Sequence, residues 1–204
     1  MPSDTDVANV ALRLVGATAI TSITDGSTNG NLLDDIYTEV RDDLLRSHPW
    51  NFATKRVQLA QISTDPTFEF DHAYALPSDW LRTISVHDND AGHGTVLYRT
   101  EQVAGQNAIV ASSDAIYLRY VHRVTDPNLM AADFRRAFEL SLARDLSIPV
   151  ASSNTMQAQY SAEASRVLAR ARSSDAMGSF PELRPRGSWA SSRGGFRRDD
   201  FLSD

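Results

Sequence analysis

The chain of 204 residues contains no cysteine. That excludes disulfides and thiolate metal sites, and it is compatible with any compartment. No run of about 18 apolar residues occurs, so no membrane-spanning helix is expected. The opening "MPSDTDVANV" has neither a basic region nor a long apolar stretch and does not read as a secretory signal. Catalytic signatures are missing as well: there is no HExxH pair, no GxSxG elbow and no GxxxxGK[ST] phosphate loop. A surplus of basic charge is also missing. Lys and Arg number 20 against 26 Asp and Glu, a net charge of −6. Nucleic-acid binding over a broad surface needs the opposite balance.

Apolar residues are plentiful. They make up 42% of the chain, enough for one core, or for one domain carrying an insertion. Val7, Val10, Ala11, Leu14 and Val15 recur at helical spacing and predict a first helix over 3–15, with Ser3 and Asp6 as a capping box and Gly16 as its stop. A turn-rich loop, "TSITDGSTNGN", follows. A second helix is predicted over 32–48, capped by Asn31, with Leu33, Ile36, Tyr37, Val40 and Leu44 on its apolar stripe. Pro49 cannot continue it and disfavours helical geometry at His48.

From Trp50 to Arg123 the apolar period changes to two. "KRVQLA", "FEFDHAYALP", "LRTISVH", "TVLYRTE", "NAIVAS" and "AIYLRYVHR" are strand candidates separated by turn residues, and they predict an antiparallel, meander-like β block. Helical spacing returns over 131–148, stopped by Pro149, and over 154–172, capped by Ser152 or Ser153. The remaining stretch is rich in Gly, Ser, Pro and Arg and has no period. The expected fold is therefore α+β: a four-helix bundle (1–49 and 124–172), an antiparallel β block inserted between helices two and three (50–123), and an extended C-terminal tail (173–204).

Candidate chemistry is sparse. "HDNDAGH" gathers His87, Asp88, Asp90 and His93, but Gly92 and Arg99 stand where a calcium loop needs ligands, so it reads as a solvated turn. Asp34-Asp35 and Asp42-Asp43 are adjacent on a helix, and adjacent positions do not face each other. Lys55 and Arg56 read as charges guarding an edge strand, possible contacts for a neighbouring subunit but too few to grip phosphates. Trp50 and Phe52 read as core side chains where helix hands over to strand. No catalytic, metal or cofactor site is expected. The tail stands apart: Phe180, Trp189, Phe196 and Phe201 alternate with Arg184, Arg186, Arg193, Arg197 and Arg198. Aromatics and arginines are the side chains that anchor protein interfaces, so this segment is read as partner-binding.

The segments "VANVALRLVGATAITSITD", "RDDLLRSHPWNFATKRVQLA", "FEFDHAYALPSDWLRTISV" and "YLRYVHRVTDPNLMAADFRRAFELSLARDLS" together resemble the tail tubular protein A family, the head-to-tail adaptors of short-tailed bacteriophages. The resemblance covers about residues 7 to 172. It rests on Leu12, Leu14 and Gly16; on Arg41, Leu44 and Leu45; on His48, Pro49, Trp50, Phe52, Ala53 and Arg56; on Tyr74, Leu76, Pro77, Asp79, Leu81 and Arg82; and on Tyr120, Thr125, Asp126, Pro127 and Phe134. The tail matches no part of it. The resemblance implies a non-enzymatic virion protein of the tail or neck, assembled in the host cytoplasm. Its subunits, usually twelve, would form a ring between the portal protein and the lower tail or nozzle protein, with double-stranded DNA passing through the centre. Two rival classes are a tail-associated cell-wall-degrading hydrolase, which needs carboxylates converging in a cleft, and a DNA-binding module, which the net charge opposes.

Overall fold

A computed structural model describes residues 1–92 and 96–178. Helix α1 spans Asp4–Leu14 and α2 spans Thr28–Arg46. Six strands follow: β1 (Thr54–Gln58), β2 (His72–Ala75), β3 (Trp80–His87), β4 (Arg99–Val103), β5 (Gln106–Ala111) and β6 (Tyr117–His122). Helices α3 (Ala132–Leu146) and α4 (Asn154–Met177) complete the mixed α+β chain. No helix among the described residues is long and apolar enough to cross a membrane.

The first helix starts as its sequence predicts. Ser3 Oγ accepts from the Asp6 amide at 3.2 Å, and Asp6 Oδ2 accepts from the Ser3 amide at 2.8 Å. The second starts earlier than expected. Ser27, not Asn31, is its cap, with Oγ accepting from the Gly30 amide at 3.0 Å. Asp25 organises this start by accepting from the Ser27 amide at 2.9 Å and the Thr21 amide at 3.1 Å. Those bonds, Ser27 foremost, bring its carboxyl down to about 2. Gly30 reads as a helix breaker, yet here the absence of a side chain lets Asp25 close over the first turn. A Cβ at that position would lie 2.5 Å from Asp25 Oδ1.

The helical core centres on α3. Phe134, Ala137, Phe138, Leu140, Ser141, Leu142, Ala143 and Leu146 are all buried, which leaves α3 little solvent-facing surface. It packs against α1, α2 and α4. Its buried Ser141 satisfies its own hydroxyl by donating to Ala137 O at 2.9 Å. Leu33, Val40, Leu44, Phe134, Phe138 and Val167 are buried as their spacing predicts. Leu14 and Leu168 are only half-buried, because each sits at the margin between the main core and the smaller α3–α4 cluster.

The β block is not a meander. The strands form two three-stranded antiparallel sheets, β1-β6-β3 (sheet A) and β2-β5-β4 (sheet B). Leu118, Tyr120 and Val86 of sheet A meet Tyr74, Ile109 and Ala111 of sheet B in one cluster, so the sheets face each other. The β4–β5 hairpin closes on Ala104 and Gly105, both at positive φ (51° and 78°), the geometry of a tight two-residue turn. The "FEFDHAYALP" strand contracts to His72–Ala75, because Glu69 at φ 74° breaks the extended run before it. On sheet A, Leu81 and Val121 join the helical core, so helices and sheet share apolar interior.

Replacing Gly by Ala inside a helix ordinarily stabilises by about 0.8–1.0 kcal/mol. Gly30→Ala is expected to do the reverse here and lower the urea midpoint. An increase would show that Asp25 gives way without cost.

Candidate functional site

Pro49 ends α2 and leaves its last carbonyls without helical partners. Ser47 and Trp50 together answer one of them: Leu44 O accepts from Ser47 Oγ at 2.7 Å and from Trp50 Nε1–H at 3.0 Å, and Trp50 is 0% exposed. The indole lies 5.1 Å from the Phe134 ring in edge contact and 5.9 Å from the Phe52 ring in a stacked one. Phe52 also meets Phe134 at 5.1 Å. Trp50 is thus core, as its position predicts, and Phe52 packs partly buried against it.

Around this wedge, segments from the whole chain converge. Arg82 Nη1, on β3, donates to Arg46 O at 3.1 Å, serving a second orphan carbonyl of α2. His122 Nδ1, on β6, lies 2.8 Å from Ala53 O and donates to it. The end of α4 docks here too. Asp175 accepts from the Asn51 amide at 3.0 Å and from His48 Nε2 at 3.2 Å, while its own carbonyl accepts from Asn51 Nδ2 at 2.6 Å. Residues 173–177, read in the sequence as the start of the tail, therefore continue α4. That stretch carries no apolar stripe, and Asp175 acts through partners far away in sequence, so periodicity could not find it.

Beside the wedge, β1 is an edge strand that among the described residues pairs only with β6, as the charges on it predict. Lys55, the chain's single lysine, donates to Asp79 Oδ2 at 2.7 Å. Tyr120 donates to Asp79 Oδ1 at 3.0 Å. Burial pulls the Asp79 carboxyl upward, but the hydrogen bonds from Lys55 and Tyr120 and the charge of Lys55 outweigh it and hold the group below its ordinary 3.8. Burial, and then the bond to Asp79, push the Tyr120 hydroxyl up to about 12, so it stays a donor. Arg56 is exposed and makes no ion pair among the described residues. It lines a cavity of about 460 Å³ on the outer part of sheet A, with Arg119, His87 and Tyr117.

The other candidates scatter. Asp34 and Asp35 are exposed on α2. Asp42 is not a partner of Asp43: it bonds Arg41 Nε at 3.0 Å and Arg123 Nε at 2.7 Å, tying α2 to the end of β6. His87 Nε2 lies 3.1 Å from Ser85 Oγ, and Asp88 accepts from its neighbour Asn89 at 2.7 Å. His93 lies outside the described residues. Among the described residues no three His, Asp or Glu gather to hold a metal ion. Phe180, Arg184, Arg186, Trp189, Arg193, Phe196, Arg197, Arg198 and Phe201 also lie outside the described residues. No protein-family model matches the chain, and no curated protein matches it.

Two outcomes follow from this geometry. Trp50→Ala should lower the stability of the isolated protein by about 3–5 kcal/mol, the range for emptying a buried large aromatic, read by chemical denaturation. The Asp79 carboxyl, depressed in the folded state, contributes stability above its ordinary value of 3.8 and loses it as pH falls through the folded value. Asp79→Asn should therefore melt below the parent at neutral pH, with the gap closing in acid. A gap that persists unchanged into strong acid would contradict this.

Proposed function

We propose that the protein is a structural head-to-tail adaptor of a short-tailed bacteriophage virion. The observation that supports this most is the meeting of "HPWNFATK" with "YALPSDWLR". These segments carry the resemblance, they are separated in sequence, and their residues bond one another and α2: Lys55 with Asp79, and Arg82 with Arg46. Residues that match a family at scattered positions and converge on one joint behave as a unit that the fold needs, which is the pattern a scaffold protein would give.

In this reading the four helices act as one bundle and form the body of a subunit. Subunits, usually twelve, close a ring between the portal protein and the nozzle protein, in the tail and neck of the virion, after assembly in the host cytoplasm. The protein is not an enzyme and uses no cofactor. The open edge of β1, with Lys55 and Arg56, meets a neighbouring subunit. Residues 179–204 carry Phe180, Trp189, Phe196 and Phe201 among five arginines and dock on the portal or on the adjacent subunit. Aromatic anchors fill pockets, arginines meet carboxylates in forked pairs, and repetition round a ring multiplies a weak contact. Double-stranded DNA passes without tight binding, because the exposed acids Asp34, Asp35 and Glu39 repel phosphates wherever α2 lines the channel.

The test is a mass measurement of the purified protein alone and with its portal. The full chain should join the portal as a ring of about twelve copies of the 22.5 kDa subunit. A truncation after Gly178, which keeps Asp175 and its bonds to Asn51, should melt as the full chain does and lose stable attachment. A full chain that forms no complex with the portal overturns the reading. A truncated one that attaches equally well removes the tail as the docking element.

A further inference from the structure

Sheet B is covered along one side and bare along the other. The outer side of β2 is taken by the chain that leads into it: the Ile62 amide donates to Ala73 O at 2.7 Å, and the Ala75 amide donates to Ala60 O at 3.0 Å. On the opposite side lies β4, which among the described residues pairs only with β5. Its Arg99, Thr100, Glu101 and Gln102 are exposed. Residues paired across strands share a face. Val110, the partner of Arg99, lies with Val103 in the apolar cluster that backs sheet B, so Arg99, Glu101 and Val103 belong to that face. Leu97 extends the row. Its neighbours Val96 and Tyr98 pack into the cluster between the two sheets, and Leu97 itself is 79% exposed.

The hairpin settles which backbone groups of β4 are free. Val103 and Gln106 flank its two-residue turn and exchange both hydrogen bonds, and bonded and non-bonded pairs alternate from there. Arg99, Glu101 and Val103 therefore direct their amides and carbonyls at β5. Thr100 and Gln102 direct theirs outward, away from the sheet.

This edge is complementary to itself. Opposite residues of an antiparallel pair share a face, so a two-fold pairing must be centred on a single residue. Centred on Arg99 it opposes two arginines, and centred on Glu101 two glutamates, and both repel. Centred on Thr100 it sets Arg99 against Glu101 of the second copy, twice over, at the non-bonded positions where side chains approach most closely. Thr100 then meets its own counterpart through the outward amide and carbonyl, and Leu97 falls opposite Val103 of the second copy. Glu101 has no partner among the described residues, so the pairing supplies one. Arg99 need not give up the partner it has: it bonds Glu69 Oε1 through Nε and Nη2, both at 3.2 Å, which leaves Nη1 for a second carboxylate. The open strand β1 lacks this property. It carries Lys55 and Arg56 and no acid, so its own copy offers it only like charge.

We propose that β4 pairs antiparallel with β4 of a second copy of this chain, centred on Thr100. Two B sheets of three strands join into one sheet. The contact is two-fold, whereas a ring closes through head-to-tail contacts, so the inference does not rest on the adaptor reading and concerns the chain before it enters any ring. Covering the edge also withholds it from strand addition by unrelated chains. An edge of five residues covers less than the about 800 Å² per partner of a standard interface, so the pair is a weak one, forming at about 10–500 µM.

Sedimentation velocity of the full chain from about 5 µM to about 1 mM tests this. The mass should rise reversibly from 22.5 kDa towards that of two chains. Thr100→Pro should keep the melting curve, since the lost amide points away from β5, and should abolish the pair. Glu101→Lys should weaken it by about tenfold or more, because a cation then faces Arg99 at both positions. The absence of native cysteine gives an independent reading. Thr100→Cys should form a disulfide between copies on oxidation, its paired Cα atoms standing about 5.5 Å apart. Gln102→Cys should not, because in this register its two copies lie more than about 12 Å apart. Should Thr100→Pro fail to fold, Glu101→Lys and the two cysteine variants carry the comparison. The proposal is overturned if the full chain stays monomeric to about 1 mM, or passes to a ring with no two-chain species. It is overturned if a folded Thr100→Pro or Glu101→Lys chain associates as the parent does, or if Gln102→Cys cross-links as readily as Thr100→Cys. A monomeric full chain whose truncation after Gly178 dimerises would also overturn it, by showing that the chain's own C-terminal stretch takes the edge.

Discussion

The proline at position 49 imposes the constraint on which the rest of the structure depends. It stops α2 and leaves the last carbonyls of the helix to find donors beyond it, since a buried carbonyl without a partner costs about 1–3 kcal/mol. Leu44 O accepts from Ser47 Oγ at 2.7 Å and from the indole of Trp50 at 3.0 Å, and the indole is the donor that brings apolar bulk with it. Once Trp50 is committed there, its ring needs a wall, and Phe134 of α3 supplies it. The chain leaving Trp50 is then aimed into β1, whose pairing with β6 sets the position of sheet A. The same solution recurs at the other helix end: Tyr160 of α4 donates its hydroxyl to Leu14 O of α1 at 2.5 Å. Aromatic donors thus serve as both caps and packing.

The joint also explains why a chain with so few polar clusters is held in one arrangement. Apolar burial alone is non-directional. Orientation comes from a small set of polar links between distant segments, and Asp42, Asp79 and Asp175 make most of those near the joint. Each is a carboxylate that joins two or more elements. The acidic surplus of the chain is therefore partly structural, and net charge understates how many aspartates already have partners.

The helices were legible in the sequence because their apolar stripes are local facts: Val7, Ala11 and Leu14 repeat within one element. Helix limits were legible only where the signal was local too. The Ser3 cap is an example, whereas the Ser27 cap depends on Asp25 folding over Gly30, a contact that no period encodes. Strands were visible as alternation, but alternation says which face is apolar and not which strand lies alongside. The pairing of β6 with both β1 and β3 therefore replaced a simple meander. The burial of Trp50 could be read from the prior for large aromatics. The pairing of Arg56 with Arg119 could not, since the two lie on strands from opposite ends of the β block and are brought together only by register.

The placement of α3 has a consequence for how the chain reaches this state. The two N-terminal helices touch each other little and bury their apolar faces chiefly against α3. During synthesis α3 emerges only after the whole β block. Until then α1 and α2 are amphipathic segments without their main covering, and α1, at 11 residues, is short enough to be marginal alone in water. In the sheets only β4 and β5 pair as consecutive strands; β1 and β3 wait for β6 and β2 for β5, but all of these partners leave the ribosome before α3. Closure of the helical core is thus a late event of high sequence separation, slow by the loop entropy it must overcome. In the interval, the exposed stripe of α2 is the surface a chaperone would find first.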